Sequence, residues 1–114
     1  MKRDDAIRLR HILDAASEAL SFSTGKSRED LEADRKLSLS LVKEIEIIGE
    51  AASKVGETTK AALPRLPWGQ MVSMRNRLVH AYFDVDHEIV WNTVVQELPP
   101  LIAEIRAALE AEPQ

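Results

Sequence analysis

Residues 35–55 read RKLSLSLVKEIEIIGEAASKV, and this stretch decides the fold class. Leu37, Leu41, Ile45, Ile48, Ala52 and Val55 recur at three- and four-residue steps, which places them on one stripe of a helix. Leu39, Val42 and Ile47 widen that stripe, so the helix is expected to pack against more than one neighbour. Gly49 sits inside it at a cost of about 1 kcal/mol relative to Ala, which points to the close approach of another backbone or of a ligand. Gly56 is a natural stop.

Working outward, Leu9, Ile12, Leu13, Ala16, Ala19 and Leu20 predict a first helix over about 4–22, ended by Ser23-Thr24-Gly25. Ser27-Arg28-Glu29-Asp30 has the form of a capping signal and predicts a short helical turn through Ala33. On the other side, Leu63-Pro64-Arg65-Leu66-Pro67-Trp68 is the clearest linker, because each proline disfavours helical geometry in the residue before it. A helix over about 68–81 follows, with Met71, Met74 and Leu78 as its core stripe. Asp84-Val85-Asp86 reads as a turn with an Asp cap leading into a last helix, in which Pro99-Pro100 predicts a kink or a restart.

The whole chain supports that reading. It has 114 residues, 45% of them hydrophobic and 30% charged, which suits one domain over 1–114 with one modest core. Aromatics make up only 4%, so the core is aliphatic and local propensity favours helix. The expected class is all-α, an antiparallel bundle of four to five helices. No cysteine is present, which excludes a disulfide framework, a thiolate metal site and a cysteine nucleophile. Met1-Lys2-Arg3-Asp4-Asp5 opens no long apolar run, so neither a signal peptide nor a membrane span is expected, and the cytoplasm is the expected location. A formal net charge of −4 means that any RNA contact must be local.

Two sets of residues invite a chemical reading. Asp84, Asp86 and His87 offer oxygen and nitrogen ligands, yet N-capping and the helix dipole explain a carboxylate-rich turn before a helix, and no metal is expected. His11, mid-helix beside Arg10, reads as a packed or partly exposed residue. The second set is Arg75-Asn76-Arg77-Leu78-Val79-His80-Ala81-Tyr82. Asn76 and His80 lie one turn apart on one face, and Arg75 and Tyr82 two turns apart. Arg75 and His80, five apart, share no face; a joint role needs the Arg side chain to bend round, or convergence across a dimer interface.

Spacing alone leaves two explanations of this cluster. One is an Arg snorkelling from the bundle and a His bonded at a helix C-terminus. The other is an Arg fork that holds a phosphate beside an imidazole that exchanges protons near neutral pH. RNA cleavage by 2′-hydroxyl attack needs a base, an acid and a cation to steady the growing charge. A C2 dimer that brings together two copies of the helix supplies the second proton-transfer group.

Residues 74–86 resemble the Arg-x4-His-x-Tyr signature of HepT-like toxins of the HEPN superfamily. Glu46-Ile47-Ile48-Gly49-Glu50-Ala51-Ala52, Pro67-Trp68, Ile89-Val90-Trp91 and Leu98-Pro99 extend the resemblance over nearly the whole chain in order, with only 24–34 matching loosely. The resemblance implies a dimeric HEPN bundle whose signature helices face each other around an RNA-cleaving cleft. It makes Arg75 and His80 the catalytic pair, Asn76 their polar neighbour, and Tyr82 the position that a nucleotidyltransferase-type antitoxin modifies with AMP. Both copies of Arg75 and Arg77 would form a basic, RNA-binding cleft in an acidic body, and no cofactor is implied. A higher hetero-oligomer with the antitoxin is compatible with this.

Two other functions fit the same residues. In one, the chain is a non-catalytic subunit that offers Tyr82 or a nucleotide pocket to the nucleotidyltransferase. In the other, it is a dimeric scaffold whose polar cluster only satisfies hydrogen bonds, so that Arg75→Ala lowers the melting temperature and changes nothing biochemical.

Overall fold

The computed structural model describes residues 1–79 and 86–111, and for 77–79 it describes the backbone. Among these residues there is no β-strand, and no helix is long and apolar enough to cross a membrane. The helices are α1 (Arg3–Ser23), α2 (Arg28–Ala33), α3 (Arg35–Lys54), α4 (Glu57–Ala62), α5 (Trp68–Val79), α6 (His87–Asn92) and α7 (Leu98–Glu110), with a π-helical turn at Thr93–Glu97 between the last two.

The broad apolar face of α3 makes it the central element. It packs most extensively on α1 and α5 and also touches α2 and α6, while α1 packs on α7 as well. All six residues of the expected stripe, from Leu37 to Val55, are buried. Of the three that widen it, Val42 is buried, Ile47 is half-buried and Leu39 is exposed. Leu9, Ile12, Ala16 and Ala19 face α3 and α7 from α1, and Met71 and Met74 close the core from α5.

Local chemistry fixes the ends of these helices. Asp30 accepts from the Ser27 backbone N–H at 2.7 Å to start α2, and Asp34 accepts from Leu37 N–H at 3.2 Å to start α3. Gly25 takes the left-handed conformation, φ 75°, that turns the chain after α1. Asp86 accepts from the N–H groups of Glu88 and Ile89 at 3.0 and 3.2 Å, which makes it the cap of α6. The expected restart near Pro99-Pro100 takes a specific form. The chain widens into one π turn, and α7 begins at Leu98 with both prolines in its first turn, where a helix does not use those N–H groups.

Between the stop at Gly56 and the linker at Leu63–Trp68, where periodicity predicts no element, the chain forms α4. Its anchor is Asp5, which is only 4% exposed. The Asp5 carboxylate accepts from Gly56 N–H at 3.1 Å and from the Thr59 hydroxyl at 2.6 Å, so the first turn of α1 holds the start of α4. The Thr59 hydrogen bond, followed by that of Gly56 and the charge of the nearby Arg8, keeps the Asp5 carboxyl below its ordinary value despite its burial. After α4, Trp68 Nε1–H donates to the Leu63 carbonyl at 2.9 Å, with the Lys60 ammonium 6.0 Å from the ring centroid. These contacts tie the proline-rich linker to the start of α5.

Candidate active site

The site is built where α5 crosses α3. Gly49 permits this approach: a Cβ there would stand 2.4 Å from Arg75 Cβ and 3.1 Å from the Met71 carbonyl oxygen. The stem of Arg75 therefore lies directly on the α3 backbone. From that seat its Nη1 donates to Glu50 Oε2 at 2.6 Å, while Glu50 Oε1 receives Lys54 Nζ at 3.0 Å. Lys54 first, and then Arg75, hold the Glu50 carboxyl below its ordinary value. Glu50 is thus more than an exposed helical carboxylate: it holds one edge of the guanidinium at the α3–α5 crossing. The Arg75 side chain is 28% exposed, enough for an anion to reach it.

Asn76 is exposed on the same helix. The Arg77 side chain, His80, Tyr82 and Asp84 lie outside the described residues, so the structure places the arginine of the signature and leaves its partners to the sequence. Asp86 serves as the N-terminal cap of α6, as expected from its place before that helix. The His87 Nδ1 lies 4.0 Å from Glu32 Oε1, which ties α6 to α2. His11 is exposed and faces the groove between α1 and α3, into which Arg75 also opens.

Glu44 is a titratable group on the buried side of α3. It is 5% exposed and its Oε2 has no hydrogen-bond partner. Its spacing from Leu41 and Ile48 puts it on the buried side of α3, and this was the available signal. Burial, reinforced by the neighbouring Glu18 carboxyl, pushes the Glu44 carboxyl up to about 7 from an ordinary 4.5. Between these values the folded chain binds more protons than the unfolded one, so stability falls as pH rises from about 4.5 to about 7 and stays reduced above it. Glu44→Gln is accordingly expected to raise the melting temperature at pH 8, by about 5 °C or more for a domain of this size, and to change it little at pH 4. Thermal denaturation of both forms at the two pH values checks this.

An all-helical domain with a close helix crossing that presents an arginine is consistent with the HEPN-like class of folds. The comparisons with known proteins identify the family: the Ribonuclease HepT-like model matches residues 12–108, and the chain belongs to that family. A protein of Thermococcus cleftensis named "Probable ribonuclease HepT" is 36% identical over 101 residues, covering 89% of this chain and 92% of its own. A "Putative RNase" of Caldanaerobacter subterraneus subsp. tengcongensis is 33% identical over 104 residues, covering 91% and 93%. A "Putative RNase" of Methanocaldococcus jannaschii is 29% identical over 104 residues, covering 91% and 95%. No solved structure matches the chain significantly.

Proposed function

We propose that this protein is a metal-independent endoribonuclease, the toxin of a toxin–antitoxin pair, acting as a homodimer. The observation that carries the reading is the seat of Arg75: a guanidinium pinned on Gly49, oriented by Glu50 and open to an anion, in a chain of a ribonuclease family. Two such arginines facing each other across a dimer axis would neutralise a phosphate whose negative charge grows in the transition state.

In this mechanism one His80 imidazole takes the proton of the RNA 2′-hydroxyl as its oxygen attacks the adjacent phosphorus. The P–O bond to the 5′-oxygen breaks, and the other protomer's His80, in its cationic form, gives that oxygen a proton. The products are a 2′,3′-cyclic phosphate and a 5′-hydroxyl. Asn76 and Arg77 line the cleft as polar and RNA-binding neighbours. AMP placed on Tyr82 by a nucleotidyltransferase-type antitoxin would add bulk and negative charge beside this machinery and silence it.

The test is the chemistry of the cut ends. Purified dimer incubated with RNA in excess chelator is expected to leave 2′,3′-cyclic phosphate and 5′-hydroxyl termini. Cleavage that needs an added divalent ion, or that leaves 5′-phosphates, overturns the mechanism; an unmodified protein that cuts nothing overturns the nuclease assignment.

A further inference from the structure

Arg75 also lines a groove of about 750 Å³ between α1 and α3, a size in the range of small-molecule sites. Its lining is mixed in a particular way. Ile7, Ile47 and Ala51 give it apolar surface, with Ile7 37% exposed, a large apolar side chain left in water. Four cations, Arg8, Lys43, Lys54 and Arg75, outnumber the three carboxylates in the lining, although the whole chain carries a formal net charge of −4. The lining is therefore richer in cations than the acidic molecule around it, with Arg8 also paired to Asp5 at 3.6 Å and Lys43 exposed.

The placement of two of these cations is specific. Arg75 Nη1 and Lys54 Nζ converge on the two oxygens of Glu50 at 2.6 and 3.0 Å, an arrangement that equally suits two oxygens of a phosphate. An arriving phosphate would compete with Glu50 for both. Beside that pair, Ile7, Ile47 and Ala51 offer a nucleobase an apolar surface, and the exposed Lys43 offers a further positive charge for the next phosphate. We infer that this groove is a nucleotide-binding subsite between α1 and α3, seating RNA residues that flank the scissile phosphate. The inference rests on the nuclease reading for its substrate, but binding can be measured without cleavage.

The probe is an RNA oligonucleotide with every 2′-hydroxyl methylated, which binds but has no nucleophile. Its affinity for the dimer is measured by fluorescence anisotropy, alongside kcat and KM on the cleavable RNA and the mass of the dimer in solution. Ile7→Glu puts a carboxylate on the apolar surface at an exposed position where folding tolerates it. It is expected to weaken oligonucleotide binding about tenfold or more and to raise KM similarly, with kcat and dimer mass unchanged. Lys54→Glu should weaken binding and flatten its salt dependence, while Ile7→Leu keeps both near wild type.

Unchanged binding and KM in Ile7→Glu would overturn the subsite. Conversion of Ile7→Glu to a monomer would overturn it in favour of a contact between two copies of this chain. Groove-dependent binding by a wild-type protein that cuts no RNA would uphold the subsite and defeat the nuclease assignment, so the two failures are separable.

Discussion

His80→Ala and Arg75→Ala are each expected to abolish most RNA cleavage while leaving the fold intact. For His80 the loss should be about 10²- to 10⁴-fold, the usual worth of a positioned general acid or base. For Arg75 it should be about 10²- to 10³-fold in kcat, the cost of removing one preorganised donor from a developing anion. The ion pair of Arg75 with Glu50 is partly exposed on both sides, so its loss costs little stability. A near-unchanged melting temperature with a large loss of kcat therefore separates catalysis from the scaffold role, which predicts the reverse. Arg75→Lys keeps the charge but not the fork, and one ammonium does not bind Glu50 and a phosphate in the same fixed geometry. It should recover only a small part of the rate.

Gly49 carries the second large effect. By helix propensity alone Gly49→Ala would stabilise α3 by about 1 kcal/mol. The Cβ would stand 2.4 Å from Arg75 Cβ, an atom fixed to the α5 backbone, and 3.1 Å from the Met71 carbonyl oxygen. The two helices must separate, at about 1–3 kcal/mol, as for other overpacked contacts. Gly49→Ala is thus expected to lower the melting temperature, and Gly49→Val to lower it further. Both should also reduce cleavage, because Arg75 moves with α5. A melting temperature raised by Gly49→Ala would show that the crossing is looser than described.

The main helices were legible because their apolar residues recur at helical steps, and the buried stripe of α3 matches the one read from residues 35–55. Gly49 signalled a close approach, and the structure identifies the partner as Arg75 and Met71 of α5. What the sequence concealed depends on contacts between distant positions. Helix α4 is six residues long, with no apolar stripe, and its start is held by Asp5, 51 and 54 positions away from its partners Gly56 and Thr59. Glu44 shows the reverse: its register marks it as buried, but its charge disguises it among the surface carboxylates. Within the site, the type and spacing of Arg75 were readable, whereas its hold by Glu50 and Lys54 required the packing of α5 on α3.

The central claim is that two signature helices face each other across a dimer axis. The natural chain has no cysteine, so Asn76→Cys supplies a unique attachment point on an exposed position of α5. With a nitroxide on that thiol, double electron–electron resonance on the dimer, with continuous-wave line broadening for separations below about 15 Å, should give one narrow inter-subunit distance of about 10–25 Å, as for two facing helices with a phosphate-sized gap between them. A chain that stays monomeric at the concentrations where it acts, or labels far beyond that range in every dimer present, would contradict the account.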